Sequence, residues 1–172
     1  MHPWHHISWP SLDSDVIPIV VEVVRGSQSR FRLDSLTGML RLVDVTREPS
    51  PFALGIVPRT LTQDGSPVGV ILLGDLDLEP LSVVNAIPLG VLHLPNSLRD
   101  YVVAVNTFEV EIFNASEASI LALCEKYWSS KSETDVLLDF SRITDRVWAH
   151  QTLNEASQSY QRKFKGLRKV IV

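Results

Sequence analysis

The chain as far as about Phe113 consists of apolar runs, rich in β-branched residues, that are separated by Gly, Pro, Asn and Ser. This pattern is typical of short β-strands joined by turns. It predicts strands at Ile17–Val24, Ser29–Leu33, Met39–Val45, Val68–Leu73, Ser82–Leu92 and Tyr101–Val105, with a less regular candidate at Phe108–Phe113. Short strands in this number indicate a compact barrel.

The spacing of apolar residues becomes helical after Asn114. Behind a cap at Ser116, the first helix is indicated by Ile120, Leu121, Cys124, Tyr127 and Trp128. A second helix, starting near Thr144, is indicated by Val147, Trp148, Ala156 and Tyr160. The predicted fold class is therefore mainly β with flanking helices, in the α+β class.

Length and composition predict a soluble protein with one core. The chain has 172 residues, of which 45% are hydrophobic, and this is enough for a single domain over residues 1–172. Within it, residues 1–16 form an N-terminal arm and residues 160–172 a basic tail. The net charge of −4 gives no reason to expect nucleic acid as a partner. Cys124 is the only cysteine, so it forms no internal disulfide, and we expect it to be buried on a helix.

Targeting features are also informative. The chain has no apolar run long enough to span a membrane, and its start lacks the charged-then-apolar pattern of a signal peptide. We therefore expect no membrane insertion and no secretion. The predicted location is the cytoplasm, or the matrix or stroma of an organelle.

Two neighbouring segments carry a distinctive pattern. Leu54-Gly55-Ile56-Val57-Pro58-Arg59-Thr60-Leu61 is followed by Asp64-Gly65-Ser66-Pro67-Val68-Gly69. They resemble the Tyr-Gly-Phe-Ile-Pro-Arg-Thr-Leu and Asp-Gly-Asp-Pro-x-Asp motifs of the soluble family I inorganic pyrophosphatases. Further similar segments, in the same order as in that family, are His2–His5, Val20–Ser27, Arg30–Asp34, Thr37–Leu40, Ile87–Leu92 and Tyr101–Val105.

The resemblance implies a fold and an ancestral chemistry. The fold would be a closed five-stranded OB-like barrel followed by two C-terminal helices, with similarity over roughly residues 1–130. The family's chemistry is Mg²⁺-dependent hydrolysis of pyrophosphate at a site rich in carboxylates. Family members also assemble into dimers or hexamers, so a homo-oligomer or a larger complex is expected.

The site positions of the family are only partly retained. The residues that match are Glu22, Asp64 and Tyr127, with Arg30 in place of a phosphate-binding Lys. Positions that hold carboxylates in the family carry Arg32, Ser66, Gly69 and Arg99, a Tyr position carries Leu54, and two Lys positions carry Tyr101 and Trp128. Asp44 falls near a family Arg, and Asn96 near a family Asp.

These substitutions predict that no catalytic or metal site is intact. Mg²⁺ binds through oxygen ligands in near-octahedral geometry, which Ser66 and Gly69 cannot supply in place of carboxylates, and an Arg stays positively charged. We therefore expect no cofactor, although the family uses Mg²⁺. The resulting hypothesis is a noncatalytic pseudoenzyme that acts as a structural or interaction subunit of a homo-oligomer or larger protein complex.

Two other functions stay open. Arg30, Arg32 and Arg99 would form a metal-free site for phosphate or a nucleotide, since guanidinium groups suit phosphate oxygens. Alternatively, the chain keeps a residual Mg²⁺-dependent inorganic diphosphatase activity. A structural interpretation is that Arg32 and Arg99 only neutralise Glu22, Asp44 and Asp64 by salt bridges.

Three further features bear on partners. Leu54, Tyr101 and Trp128 would either form an interface at the altered site or fill the space left by metal and substrate. The basic tail residues Arg162, Lys163, Lys165, Arg168 and Lys169 would contact an acidic partner or end a solvated helix. His2, His5 and His6 lie in a terminus that we expect to be flexible, where they would bind a transition metal only adventitiously.

Overall fold

The computed structural model describes residues 1–10, 14–93, 100–129 and 145–165. In chain order, its elements are α1 (Pro3–His6), β1 (Ile17–Val23), β2 (Ser29–Leu33), β3 (Leu40–Val45), β4 (Ala53–Ile56), β5 (Gly69–Leu73), β6 (Val83–Leu92), β7 (Tyr101–Asn106), α2 (Glu117–Ser129) and α3 (Arg146–Lys163). None of the helices in these ranges combines the length and apolarity needed to cross a bilayer.

Five strands close into a barrel in the order β1-β4-β5-β7-β6, with β6 returning to β1. All neighbours are antiparallel except β5 and β7, which run parallel so that Gly69 lies beside Tyr101. The hairpin β2–β3 forms a separate two-stranded sheet. The predicted closed five-stranded barrel with C-terminal helices is therefore confirmed.

Four of the barrel strands, β1, β4, β5 and β7, bury both of their faces, whereas β6 alternates between exposed and buried residues over its first half. One buried cluster joins alternate strand residues to α3 through Ala149, Leu153 and Ala156. A second cluster joins the other strand residues to α2 through Cys124, Tyr127 and Trp128. Strands buried on both faces show continuous apolar runs, which is the pattern along β1, β5 and β7.

Both C-terminal helices begin at a side-chain cap, and the one at Ser116 was predicted. The Ser116 hydroxyl accepts from the backbone N–H of Ser119 at 3.2 Å, immediately before α2. On α2, Cys124 is fully buried, and this burial raises the pKa of its thiol to about 12. The second helix begins at Arg146, slightly later than predicted, because the Asp145 carboxylate caps it by accepting from Trp148 N–H at 3.1 Å.

The sequence pattern did not predict strand β4. Strand β4 has only four residues, Ala53–Ile56, and one of them is Gly55. Ala and Gly are poor strand formers, so local propensity gives little signal there. A Cβ at Gly55 would overlap the backbone oxygen of Val20, and the missing side chain therefore allows β4 to pack closely against β1.

The predicted strand at Phe108–Phe113 is wrong. This segment is a series of turns in which Glu109 N–H donates to Asn106 O and Phe113 N–H donates to Glu109 O. Phe108 is 82% exposed, so its apolar side chain has no buried face to define a strand.

The N-terminal arm is packed against the barrel, contrary to the expected flexible terminus. Trp4 is buried and its indole N–H donates to Thr60 O at 2.8 Å. His5 Nδ1 lies 2.7 Å from the hydroxyl of Tyr160 on α3. The Arg59 backbone N–H donates to Trp4 O at 2.9 Å, so the arm joins α3 to the loop that follows β4.

The arm predicts a pH-dependent stability. Burial, followed by the positive charges of His2, His6 and Arg59, lowers the pKa of His5 from 6.5 to about 4. Between these values the unfolded chain binds a proton that the folded chain does not, so the free energy of unfolding decreases as pH falls from 6.5 to about 4. One proton gives a slope of at most about 1.4 kcal/mol per pH unit, and solvent screening of the partly exposed ring reduces it.

Chemical denaturation across this pH range measures the slope. His5→Asn keeps a polar side chain but removes the titration, so the variant should show a smaller slope than the wild type. An unchanged slope in this variant would contradict the assignment. The Asp34 carboxyl does not interfere, because Thr37 N–H donates to it and lowers its pKa below 3.8.

Gly74 gives a second test. Its φ of +126° is unfavourable for other residues, and an added Cβ would overlap Glu109 Oε2 and lie 2.8 Å from Asn106 Nδ2. Glu109 Oε1 accepts from Asp75 N–H at 2.7 Å, so moving this buried carboxylate would break hydrogen bonds. Gly74→Ala should lower the free energy of unfolding by about 2–4 kcal/mol, the sum of backbone strain and lost hydrogen bonding.

Gly65→Ala is the matched control, since Gly65 also has a positive φ but nothing lies within 4 Å of its added Cβ. It should cost only about 1 kcal/mol in urea unfolding. Equal effects at the two positions would show that the contact with Glu109 is not restrictive.

Candidate functional site

The hairpin β2–β3 is attached to the barrel by a buried carboxylate. Glu22 on β1 is 3% exposed, and its Oε1 accepts from Leu33 N–H at the end of β2 with a distance of 2.7 Å. This hydrogen bond holds β2 beside β1. It therefore positions Arg30 and Arg32, which share one face of β2 because they are two residues apart.

The side chain of Arg30 on β2 contacts the start of β7. Its Nη2 donates to the Tyr101 hydroxyl at 3.3 Å, and across the hairpin its Cα partner is Asp44. The pKa of the Tyr127 hydroxyl is raised mainly by burial, and this is opposed by the Ser50 hydroxyl and the positive charge of Arg30. Arg30 is thus electrostatically coupled to both tyrosines.

Below Arg30 lies a packed cluster that we call the aromatic floor, formed by Leu54, Tyr101, Tyr127 and Trp128. Its members are all at most 3% exposed. The Trp128 ring lies 5.4 Å from Tyr101 and 5.1 Å from Tyr127, measured between centroids. An interface formed by Leu54, Tyr101 and Trp128 is therefore excluded by their burial, and the space-filling interpretation is supported.

Asp64 is held in its own turn. Its Oδ1 accepts from Ser66 N–H at 3.1 Å and from the Ser66 hydroxyl at 2.6 Å, and it also contacts the Thr62 hydroxyl. The residue is exposed, whereas Gly69 is buried in β5. Asp64 is therefore exposed to solvent, whereas the carboxylate of Glu22 is buried. Ser66 supplies a hydroxyl group at a position where the family pattern has a carboxylate.

The described residues do not fit a resident Mg²⁺ ion. Within the described ranges, no three side chains among His, Cys, Asp and Glu come together as a metal-binding group. Glu22 and Asp64 each accept backbone hydrogen bonds, and Arg32 brings a fixed positive charge to a family carboxylate position. Arg99 and Asn96 lie outside the described residues, and so does any salt bridge to Arg99.

The terminal histidines are also engaged with protein groups. His6 Nδ1 accepts from His2 N–H at 2.8 Å, and His2 Nε2 lies 3.2 Å from Ser35 O. With His5 against Tyr160, these rings are built into the packed arm. In the basic tail, Arg162, Lys163 and Lys165 are described, whereas Arg168 and Lys169 lie outside the described residues.

A cleft beside Tyr127 was missed from the sequence. It has a volume of about 340 Å³ and lies between the turn after β1, the segment before β4, and α2. Arg25, Glu48, Ser50 and Lys126 are among its lining residues, and Lys126 Nζ lies 3.5 Å from Glu48 Oε2. The only signal in the sequence was the run Pro49-Ser50-Pro51, and the structure adds that Ser50 is buried.

Comparison with known proteins identifies relatives of this chain. The sequence model of the inorganic pyrophosphatase family matches residues 19–161. Soluble inorganic pyrophosphatase 2 of Chlamydomonas reinhardtii is 30% identical over 125 residues, which are 70% of this chain and 65% of that protein. The inorganic pyrophosphatase of Sulfolobus acidocaldarius is 33% identical over 82 residues, or 46% of this chain and 47% of that protein. The chain thus matches about half to two thirds of the length of these relatives.

Solved structures show the same fold. The inorganic pyrophosphatase of Thermus thermophilus superposes with a TM-score of 0.79 at 20% identity, covering 94% of this chain and 99% of that one. The Helicobacter pylori enzyme gives 0.75 at 23% identity, covering 91% and 99%.

The prediction of a noncatalytic pseudoenzyme acting as a complex subunit is wrong on these findings. The relatives and structural neighbours are named as inorganic pyrophosphatases, which are enzymes. The prediction rested on the number of carboxylates that are missing from the family's metal-binding positions. It gives too little weight to the family site positions that are retained, such as Glu22, Arg30 and Tyr127.

Trp128 provides the prediction for this site. Because it is 2% exposed and packs on two tyrosines, Trp128→Ala should leave a cavity and lower the free energy of unfolding by about 3–5 kcal/mol. Thermal and urea unfolding measure the loss. Trp148→Ala is the control, since Trp148 is 53% exposed and should change stability by about 0.5 kcal/mol or less. Normal stability of Trp128→Ala would contradict the space-filling role.

Proposed function

Because the chain belongs to the inorganic pyrophosphatase family, we propose that it hydrolyses inorganic diphosphate to two phosphate ions, with a low turnover. The family and the enzyme names of its relatives support the reaction class. The altered carboxylate positions support the low rate. The proposal concerns this chain alone, which matches only part of its relatives' length.

The observation that carries the proposal is the placement of Arg30. Its guanidinium group is half-buried, bonded to Tyr101 at one nitrogen, and fixed on a strand that Glu22 holds against the barrel. A guanidinium group is a planar donor suited to phosphate oxygens. Arg30 also stands where the family pattern has a phosphate-binding Lys, so this position keeps its positive charge.

The reaction requires charge stabilisation more than new bonds to the protein. The oxygen of a water molecule bonds to one phosphorus, the bond from that phosphorus to the bridging oxygen breaks, and the two water protons end on the two phosphate products. Negative charge increases on the leaving oxygen. A positioned guanidinium group stabilises this charge, and this is the main protein contribution to phosphoryl transfer.

Magnesium enters this scheme with the substrate. Mg²⁺ is commonly bound by substrate phosphates together with few protein ligands, so diphosphate in solution brings the ion with it. The roles of the chain's residues are then limited. Arg30 binds phosphate, Tyr101 orients Arg30, and Glu22 is a positioning residue that acts through β2.

Phosphate release from magnesium diphosphate tests the proposal. We expect a turnover of about 1 s⁻¹ or less, at the lower end of ordinary enzymes. Arg30→Ala should reduce it by about 10²–10³-fold, the usual loss when one charge-stabilising donor is removed. Arg47→Ala, which changes an exposed arginine after β3, is the matched control and should keep the wild-type rate.

Two results would contradict the proposal. One is phosphate release no faster than in buffer for the folded wild-type chain. The other is a wild-type rate in Arg30→Ala, which would show that the activity arises elsewhere or from a contaminating enzyme.

A further inference from the structure

We propose that the face of β2 carrying Arg30 and Arg32 binds diphosphate directly, without a resident divalent cation. This inference rests on the proposed function for the identity of the anion. The family resemblance implies that carboxylates hold Mg²⁺ and that the metal binds the substrate. In this chain, we infer that guanidinium groups neutralise the charge of the substrate instead.

The first support is the geometry of the two arginines. Residues two apart on a strand point to the same side and are separated by about 6.6 Å along it. Arg30 and Arg32 stand in this relation on β2, opposite Asp44 and Arg41 of β3, and the pairing with β3 shifts register between Arg30 and Phe31. Arg41 is ion-paired with Asp34, and Asp44 is the cross-strand partner of Arg30. The positive charge for an anion with two phosphoryl groups therefore comes from Arg30 and Arg32.

The second support is the preorganisation of Arg30. A guanidinium group has five N–H donors, and among the described residues only the Tyr101 hydroxyl accepts from this one. Tyr101 itself is fixed by its contact with Trp128 in the aromatic floor. Arg30 is thus held at one nitrogen and is half-buried, and a fixed planar donor loses little freedom when it binds phosphate.

The third support is the state of the described carboxylates Glu22, Asp64 and Asp44. Glu22 accepts from the backbone of Leu33, Asp64 from that of Ser66, and Asp44 from that of Val45. A divalent cation would have to take these oxygens from their hydrogen bonds and approach two fixed guanidinium charges. Mg²⁺ gives up its water ligands reluctantly, so this exchange is unfavourable.

The consequence is a reversed metal dependence of binding. A site that holds its substrate through carboxylate-bound Mg²⁺ cannot bind diphosphate when the metal is removed. A site built on guanidinium groups binds the free anion at least as tightly as its magnesium complex, because Mg²⁺ neutralises the charge that the arginines recognise.

Calorimetric titration of the full chain tests this. The probe is imidodiphosphate, the P–N–P analogue of diphosphate, added in EDTA and then in excess Mg²⁺. We expect saturable binding in EDTA that Mg²⁺ does not strengthen, no saturable binding of Mg²⁺ alone, and a tenfold or greater loss of affinity in Arg30→Ala. Arg47→Ala should bind normally, and sodium sulfate at equal ionic strength should not compete effectively.

Arg32→Glu provides the sharper comparison, since it restores the family's carboxylate. This variant should lose binding in EDTA by tenfold or more. Far-ultraviolet circular dichroism verifies that each variant is folded, and Arg30→Lys keeps one positive charge if Arg30→Ala is unstable, with an intermediate affinity expected.

The inference is overturned if imidodiphosphate binds only with Mg²⁺, or if Mg²⁺ alone binds saturably to the wild-type chain. Its failure is separable from failure of the proposed function. Phosphate release that requires excess Mg²⁺, without binding in EDTA, supports the reaction and overturns the inference. Tight binding in EDTA without phosphate release supports the inference and overturns the reaction.

Discussion

The contact between α2 and the start of β7 is the constraint on which the candidate site depends. Trp128 packs against Tyr101 with ring centroids 5.4 Å apart, and neither side chain is exposed. This contact fixes the Tyr101 hydroxyl, which in turn accepts from Arg30. The same packing fills the volume beside Arg30 with aromatic rings.

Charge is the second determinant of the site. Glu22 is buried and bonded to the backbone of Leu33, and its role in the structure is to hold the hairpin in place. Asp64 is bonded within its own exposed turn. Both carboxylates thus accept hydrogen bonds from the backbone, and in the function proposed above the ligand contacts are guanidinium donors for an anion in place of oxygen ligands for a cation.

The sequence predicted most of the fold, because long apolar strands and capped helices carry strong local signals. Strand β2 has the predicted bounds, Ser29–Leu33, and α2 follows its Ser116 cap. Strand β4 was missed because its four residues depend on packing against β1, which local propensity does not report. For the site, the residue types indicated the candidate residues but not whether they are buried, and only the structure shows that Trp128 is buried. The comparison with family relatives was needed to correct the inference of lost catalysis.

The most direct measurement is a crystal structure of the chain soaked with imidodiphosphate in the absence of divalent cations. The account predicts that the anion lies against the β2 face, with a phosphoryl oxygen within hydrogen-bond distance of an Arg30 Nη and the aromatic floor unchanged beneath it. An anion bound elsewhere, or one that enters only with Mg²⁺ held between Glu22 and Asp64, would contradict the account.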